Sequence, residues 1–400
     1  LFERIVMAEA ITIGMARMHA EFGERRDFLP SLVARLIRCG ANIVLEHGYG
    51  SGMGFTEKDY HNAAPKVQFA AYREICKQEY VLVLRCPTES ELKQLRQGSK
   101  LISMLHYPTR PQRVELLRSL GVEGISLDSL KDDNGRRLVE NLESVAWNGL
   151  EVGFQVLRRL YPAPGMEGMD RPPIQATVLG VGAVGMHAVQ AASRYGDMQL
   201  WQFMAKRGIP GVQVTAVDYD VVNHEETMRA ILKRTDILVD ATQRPDTSKF
   251  VVPNEWVGLT PEHAVLVDLS VDPYNFDIDP PEVKGIEGLP QGNLDQYVFA
   301  PNDPAYERIP DSVSTRNRRY AVSCYSWPGL HPKECMELYG NQLRTILRVL
   351  IEKGGIQHIN PEGGYFERAI ARAMLSRWAG SEKSGFIRTA EKRTEKRNEE

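Results

Sequence analysis

A glycine-rich loop between a β-rich run and a helical run is the strongest constraint on how this chain folds. Gly180, Gly182 and Gly185 form a G-x-G-x-x-G pattern directly after the run 176–179 and before a helix predicted from about Ala183. In such a unit the first glycine permits a tight turn, the second lets backbone approach a pyrophosphate, and the third lets the helix pack against the strand. The alternative is a glycine-rich packing turn. We predict a dinucleotide site formed by Gly180, Val181, Gly182, Ala183, Val184 and Gly185.

The acidic residue that would bind the adenosine ribose has two candidate registers. In the first, the run 212–218 is the second strand of the unit and ends in Asp218. In the second, the run 199–203 is that strand, no acid ends it, and Lys206 or Arg207 would meet a 2′-phosphate. We favour the first register because 212–218 has the better strand composition. This choice predicts NAD as the cofactor in preference to NADP.

Alternating β-rich and helical runs extend over the whole chain. Strands are predicted at 10–15, 42–45, 80–85, 101–106 and 124–128, then at 176–179, 212–218, 237–241, 264–269 and 320–324; the main helices are predicted at 31–39, 89–97, 111–120, 143–161, 225–234 and 333–353. This alternation predicts an α/β fold with two Rossmann-like, doubly wound domains. Because such sheets bind ligands at the carboxyl ends of strands, we add Ala241 and Thr242 to the nucleotide site.

Composition and charge exclude several functional classes. The net charge of -3 gives no electrostatic attraction to nucleic acid or anionic lipid. The five cysteines are scattered without a C-x-x-C pair, so we expect neither a disulfide framework nor a metal site. No apolar run reaches the roughly 18 residues of a membrane span, and Glu3 and Arg4 stand where a secretion signal would be apolar. We therefore expect a cytoplasmic protein with a small-molecule substrate, and a disordered, charged tail at 381–400.

Polar residues follow the strands of the first domain and are candidates for substrate binding. Arg85, His106 and Asp128 each come at the end of a predicted strand. A histidine at this edge can exchange a proton with a substrate, and Arg85 and Arg25 can grip a carboxylate in bidentate fashion. Asp272, just after a strand of the second domain, can orient the histidine or a substrate amine. The alternative interpretation treats these residues as structural caps, turns and solvated charges.

Seven segments occur in an order and at a spacing that point to one protein family. They are GERRDFLP, with Arg25 five residues before Pro30, then GYGSGMGFTEKDY, VLRCP, SMLHYP, VLGVGAVG, VLVDLSVDPY and CYSWPGLHP. Over roughly residues 10 to 355 the chain resembles alanine dehydrogenase and the NAD-binding part of proton-translocating pyridine nucleotide transhydrogenase. The glycine-rich segment that begins at Gly48 is among the most specific matches.

The resemblance implies a fold, a site and an assembly. Residues 1–145 and 326–380 would form a flavodoxin-like substrate domain and residues 146–325 the NAD-binding domain, with the active site in the cleft between them. Arg25 would bind the substrate carboxylate, His106 would act as acid or base, and Asp272 would lie near the nicotinamide and the substrate amine. A homo-oligomer is expected.

One departure from the family pattern affects the expected substrate. Arg85 stands where the family has a lysine, and a guanidinium stays charged and cannot shuttle a proton, although it still binds carboxylates. The short segment between Asp218 and Ile237 is more similar to saccharopine dehydrogenases. We therefore predict an NAD-dependent oxidoreductase acting on the CH–NH bond of an amino acid or a secondary-amine dicarboxylate, with Arg85 contributing to binding and catalysis. The alternative is a non-catalytic nucleotide-binding protein resembling a transhydrogenase subunit.

Overall fold

The computed structural model describes residues 10–19, 22–244 and 246–378. The chain divides into two compact units, the first comprising Leu1–Glu140 with Pro332–Glu400 and the second Asn141–His331. The tail predicted to be disordered, 381–400, lies outside the described residues. Which unit binds substrate and which binds nucleotide stays a prediction.

The strands and helices alternate along both units. The strands are β1 Thr12–Met15, β2 Asn42–Glu46, β3 Gln68–Ala70, β4 Tyr80–Arg85, β5 Lys100–Met104, β6 Glu123–Ser126, β7 Ile174–Leu179, β8 Val212–Val217, β9 Ile237–Asp240, β10 Val265–Asp268, β11 Val298–Phe299 and β12 Tyr320–Ser323. The helices are α1 Pro30–Arg38, α2 Glu57–Ala63, α3 Tyr72–Ile75, α4 Glu89–Leu92, α5 Pro111–Ser119, α6 Leu142–Leu160, α7 Ala183–Ala192, α8 Met198–Lys206, α9 Tyr219–Val222, α10 Glu225–Leu232, α11 Asn254–Val257, α12 Pro332–Glu352 and α13 Tyr365–Ala373. The predicted α/β fold class is confirmed.

The first unit contains a parallel sheet in the order β3-β2-β1-β4-β5-β6. Without β3, the remaining five strands have the order 2-1-3-4-5 that is typical of flavodoxin-like sheets. The edge strand β3 was missed and changes the order to 3-2-1-4-5-6, so the flavodoxin-like assignment is wrong for the complete sheet. Its three residues are too few to show a strand period. Chain order reverses between β1 and β4, where such sheets bind ligands.

The second unit contains a sheet in the order β11-β12-β10-β9-β7-β8, parallel except for the short edge strand β11. Its strand order reverses around β7, whose carboxyl end leads into the glycine-rich loop. Alternate residues of the strands pack on opposite faces, so each sheet is covered on both sides by apolar residues. Among the described residues, no helix combines the length and the apolar composition that crossing a bilayer requires.

The turn between α7 and α8 is tightly packed against α6. Tyr195 and Gly196 both have left-handed backbone conformations, with φ of 58° and 64°, and these end α7. Asp197 then caps α8 by accepting hydrogen bonds from the backbone N–H groups of Gln199 and Leu200. A Cβ on Gly196 would lie 2.1 Å from the backbone nitrogen of Glu151 in α6. This close approach requires glycine.

We expect Gly196→Ala to destabilise the second unit by about 2 kcal/mol more than Gly208→Ala. Both glycines have φ near 65°, so each alanine carries a similar backbone strain of about 1 to 2 kcal/mol. A Cβ on Gly208 meets no atom within 4 Å, whereas a Cβ on Gly196 meets helix backbone that cannot move aside. Urea unfolding of the two variants measures the difference, and equal losses of stability would contradict the packing argument.

Candidate functional site

Polar side chains gather at the carboxyl edge of the first sheet. Arg17 follows β1, Glu46 ends β2, Arg85 ends β4, His106 follows β5 and Asp128 follows β6. Because all these strands are parallel, their carboxyl ends lie at one edge. The structure therefore brings Arg85, His106 and Asp128 to the same edge, as the sequence predicted.

His106 has a strained backbone that Asp128 holds in place. Its φ of 53° and ψ of 48° are left-handed, which costs a residue with a Cβ about 1 kcal/mol or more. The carboxylate of Asp128 accepts a hydrogen bond from the backbone N–H of His106 at 3.1 Å and from the Ser126 hydroxyl at 2.7 Å. The buried aspartate is thus fixed by its own partners and in turn fixes the histidine.

The electrostatic surroundings of His106 favour its neutral form. Partial burial lowers the pKa of His106; the Asp128 carboxylate opposes this shift, while the charges of Arg113, Arg137 and Arg85 add to it. The ring nitrogen Nδ1 lies 3.6 Å from a carboxylate oxygen of Asp128, too far for a strong hydrogen bond but close enough to stabilise a proton gained by the ring. A neutral imidazole with 49% of its side chain exposed can accept a proton from a ligand.

The segment carrying Arg25 rests on the glycine-rich segment that begins at Gly48. The backbone N–H of Gly50 donates to Asp27 at 2.8 Å, and a Cβ on Gly52 would lie 2.9 Å from the Cα of Arg25. The Tyr60 hydroxyl donates to the carbonyl of Phe28 at 2.8 Å. The glycines therefore let backbone approach backbone, which fixes the position of Arg25.

Two adjacent arginines in this segment have different surroundings. Arg26 is buried, and its guanidinium donates to both carboxylate oxygens of Glu24, at 2.8 and 2.5 Å. Burial works to raise the pKa of Glu24, but the hydrogen bonds and charge of Arg26, together with the charge of Arg85, hold it below the usual value. Arg25, by contrast, is exposed. Of the two, Arg25 is the one exposed to solvent, and its role in substrate binding stays a prediction.

In the second unit, the glycine loop has the geometry of a phosphate cradle. Gly180 has φ of 86°, and a Cβ there would meet the carbonyl oxygen of Ala241 at 2.8 Å and the Cα of Thr242 at 3.0 Å. A Cβ on Gly185 would lie 1.9 Å from the Gly180 carbonyl oxygen. A Cβ on Gly182, however, would meet no described atom within 4 Å. The first and third glycines are thus needed for packing, while the second faces open space at the start of α7.

The structure places Asp218 beside this loop and contradicts the second register. The backbone N–H of Gly180 donates to the carbonyl of Val217 at 2.7 Å, so Asp218 directly adjoins the loop, where its carboxylate caps α9. Residues 199–203 lie in α8 instead of a strand. Lys206 and Arg207 come before the amino end of β8, about 20 Å of strand away from its carboxyl end. Helix-breaking signals at Gly196 and Asp197 explain why 199–203 is a separate helix.

Asp272 is engaged by an arginine that the sequence did not single out. Its carboxylate accepts a hydrogen bond at 2.7 Å from Arg244, whose guanidinium also donates to the carbonyls of Lys249 and Val283. Burial raises the pKa of Asp272, and the hydrogen bond and charge of Arg244 oppose that shift. In this arrangement the Asp272 carboxylate is paired within its own unit.

Beneath Asp272 lies a buried charge cluster. Asp240 and Asp268 end the neighbouring strands β9 and β10, and the ammonium of Lys284 donates to Asp268 at 2.6 Å and to the carbonyl of Asp272 at 3.0 Å. Burial and the charge of Asp268 raise the pKa of Asp240 to about 6. Burial would also raise the pKa of Asp268, but Lys284 and hydrogen bonds lower it overall. The Asp240 carboxylate also accepts hydrogen bonds from the backbone N–H and the hydroxyl of Thr242, at 3.0 and 2.7 Å, and so connects the cluster to the predicted nucleotide site.

The sequence interpretation missed several charged residues at these edges. Arg17 follows β1 by the same rule that selected Arg85 and His106, so that rule could have found it. Lys284 and Arg244 lie in irregular segments without a strand or motif to mark them. Their positions depend on contacts made across the unit.

Comparison with known proteins agrees with the fold and with the family segments. Residues 20–146 match the family described as "Alanine dehydrogenase/PNT, N-terminal domain". Alanine dehydrogenase of Bacillus subtilis is 25% identical over 271 residues, which are 65% of this chain and 70% of that protein. The predicted family resemblance is confirmed. The NAD(P) transhydrogenase subunit alpha of Haemophilus influenzae is 20% identical over 391 residues, covering 90% of this chain and 70% of its own length.

Two solved structures share the fold. An L-alanine dehydrogenase superposes with a TM-score of 0.67 at 18% identity, covering 91% of this chain and 94% of that chain. A transhydrogenase from Sinorhizobium meliloti superposes with a TM-score of 0.59 at 17% identity, covering 85% of this chain and 94% of that chain. The similarity to saccharopine dehydrogenases stays a prediction.

We expect Asp27→Asn to remove a pH dependence of stability in the first unit. Burial raises the pKa of Asp27 to about 7; the Gly50 N–H and the Arg17 charge oppose the shift, and Glu46 and Glu24 add to it. Between about pH 4 and pH 7 the folded chain keeps a proton on Asp27 that the unfolded chain has lost. The free energy of unfolding is therefore highest below about pH 4 and falls by about 1.4 kcal/mol per pH unit as the pH rises towards 7. Urea unfolding at about pH 5, 6, 7 and 8 tests this, since asparagine keeps an acceptor for Gly50. Identical pH slopes for the two chains would contradict it.

Proposed function

We propose that this chain is an NAD-dependent oxidoreductase acting on the CH–NH bond of an amino acid or a secondary-amine dicarboxylate. The observation that carries the proposal is the arrangement of His106, a neutral imidazole fixed by Asp128, on the same sheet edge as Arg85. The named activity of the alanine dehydrogenases similar to this chain supports the same class of substrate. Cytoplasmic location and a homo-oligomeric state belong to the same proposal.

The residues of the glycine loop fit a dinucleotide. The open space above Gly182 lies where a pyrophosphate would approach, and no described side chain caps the first N–H groups of α7. Residues Gly180 to Gly185 would hold the pyrophosphate, Asp218 would accept hydrogen bonds from the adenosine ribose, and Ala241 and Thr242 would border the site. When bound, a nicotinamide nucleotide supplies hydride acceptance and donation. Asp218 favours NAD, because a carboxylate repels a 2′-phosphate.

Two arginines of the first unit and Asp272 of the second unit would bind and orient the substrate. Arg25, which is exposed and rests on the glycine-rich segment that begins at Gly48, would bind the α-carboxylate in bidentate fashion. Arg85 stays charged and would bind a carboxylate without exchanging a proton. Asp272 would orient the amine, since its pairing with Arg244 holds the carboxylate in one place. Together these contacts would fix the α-carbon for hydride transfer.

His106 would handle the proton. Its lowered pKa leaves the imidazole neutral near pH 7, ready to take a proton from the substrate nitrogen or from the water that releases the oxo acid. The Asp128 carboxylate 3.6 Å away stabilises the imidazolium that results. In the reverse direction the same ring returns the proton.

A second candidate is a nucleotide-binding protein without dehydrogenase turnover. The similarity to the transhydrogenase subunit alpha, which extends over 90% of this chain, favours it. The two candidates differ in a single readout, because only the dehydrogenase reduces NAD when an amino acid is added to the purified chain.

We expect Gly182→Val to abolish nucleotide binding while leaving stability unchanged, because a side chain there would occupy the pyrophosphate's space. Gly211→Val is the matched control: it too lacks a positive φ, and its Cβ would meet no atom within 4 Å, but it lies outside the loop. Titrations with NAD and with NADP measure both binding and preference. Unchanged NAD affinity in Gly182→Val would contradict the proposal that the glycine loop binds the pyrophosphate. A preference of about tenfold for NADP would contradict the proposed role of Asp218.

We expect His106→Asn to lower turnover by about two to four orders of magnitude while NAD affinity stays the same. Asparagine tolerates the left-handed backbone of this position, so the fold is retained and only the proton acceptor is lost. The exposed His61, changed to asparagine, is the control. Reduction of NAD with a mixture of amino acids gives the readout. Unchanged turnover would make His106 structural, and no turnover in the native chain would favour the second candidate.

A further inference from the structure

A pocket in the first unit opens at the carboxyl ends of β1 and β4. These are the neighbouring strands between which the chain order of the sheet reverses, so the backbone diverges and leaves a crevice. The sequence singled out only Arg85 among the residues that line it. Because the whole pocket belongs to one unit, its properties follow from this sheet alone.

The pocket combines apolar walls with two guanidinium groups. Met18, Val83 and Pro87 supply the apolar surface, and Arg17 and Arg85 supply positive charge. Apolar walls favour methylene groups, and guanidinium groups favour a carboxylate. The lining therefore suits a short aliphatic chain that ends in an anion.

The carboxylates near the pocket already have partners within the protein. Glu91 accepts hydrogen bonds at 2.8 Å from both the backbone N–H and the hydroxyl of Thr88. Glu46 accepts from the backbone N–H of Arg17 at 2.8 Å and lies 2.7 Å from the imidazole of His19. Among the described residues the guanidinium of Arg17 pairs with Asp27 alone, at 3.8 Å, which is too long for a hydrogen bond.

Arg17 itself has an unsatisfied donor. Its buried Nε donates no hydrogen bond within the described residues, and the nearest paired carboxylate oxygen, that of Asp27, is 3.8 Å away. Leaving a buried donor without an acceptor is unfavourable. Burial also favours the protonated form of Asp27 near neutral pH, which weakens its pairing with Arg17. Since 35% of the Arg17 side chain is exposed, a ligand carboxylate can reach the guanidinium and provide a closer anionic partner than Asp27.

Arg85 links this pocket to the proposed reaction centre. It lines the pocket, and its charge is one cause of the lowered pKa of His106. His106, Arg85 and Arg17 follow three adjacent strands, β5, β4 and β1, which together span about 10 Å. That span suits a substrate with its reacting carbon near His106 and a second carboxylate near Arg17.

We infer that this pocket binds the second carboxylate of a dicarboxylic substrate, with Arg17 as the residue that determines specificity. The inference rests on the proposed function for the identity of the reacting end, but the pocket itself can be tested by binding alone. A simple amino acid such as alanine would leave the pocket without an anion and would bind less tightly.

The test measures binding of 2-oxoglutarate and pyruvate to the full chain by calorimetry, and NAD reduction with glutamate and alanine. We expect Arg17→Gln to weaken 2-oxoglutarate binding about tenfold or more and to change pyruvate binding less than about twofold. Arg17→Lys keeps the charge but loses the planar fork, so its affinity for 2-oxoglutarate should lie between those of the native chain and of Arg17→Gln. Arg73→Gln, on the exposed surface of α3, removes the same charge outside the pocket and should leave the affinities for 2-oxoglutarate and pyruvate unchanged.

The outcomes separate the pocket from the proposed function. Equal native affinity for the two oxo acids, or an equal loss for both in Arg17→Gln, would overturn the pocket's role. Brisk turnover of alanine without binding of 2-oxoglutarate would also overturn it while supporting the dehydrogenase. Selective, Arg17-dependent binding of 2-oxoglutarate without NAD reduction by either amino acid would support the pocket and overturn the dehydrogenase.

Discussion

Parallel pairing of the strands is the constraint on which both candidate sites depend. In a parallel sheet every strand ends at the same edge, and every crossover helix returns the chain to the opposite edge. Residues distant in sequence, such as Arg17, Arg85 and His106, are thereby brought to one line by the pairing of β1, β4 and β5. The same geometry sets Ala241 and Thr242 against Gly180 in the second unit. Local charge and glycine placement then determine what each edge can bind.

The carboxylates at the two sheet edges have different kinds of hydrogen-bonding partners. In the second unit Asp268 and Asp272 are paired with Lys284 and Arg244, so the side-chain charges near the loop are largely balanced internally. What remains for a phosphate is the backbone N–H groups at the start of α7. In the first unit several carboxylates are instead occupied by backbone N–H groups or hydroxyls, as Asp128 is by His106 and Ser126. Arg17 and Arg85 add positive charge at the same edge, which is the basis for proposing a carboxylate ligand there.

The sequence predicted the features that depend on local pattern. The glycine loop, the strand β8 that leads to Asp218 and the strand-end positions of Arg85 and His106 follow from strand period, glycine spacing and composition. It failed where a long-range contact decides the outcome. The three-residue strand β3 exists because β2 pairs with it. The helix predicted over 89–97 ends at Leu92, so more than half of its predicted length is not helical. The partners of Asp272 lie in irregular segments whose positions no local signal specifies.

The strain at His106 shows why a site residue can be located from sequence while its chemistry cannot. The position of His106 after β5 follows from the strand pattern, but its left-handed conformation is held by Asp128, after the neighbouring β6, which accepts the histidine's backbone N–H. Burial lowers the histidine's pKa; that same carboxylate opposes the shift, whereas the charge of Arg85, at the end of β4, adds to it. The proton affinity of the ring is therefore set by strands on both sides of it. A substitution at Asp128 would act on both conformation and proton affinity, whereas one at Arg85 would act on proton affinity and ligand binding while leaving the backbone of His106 in place.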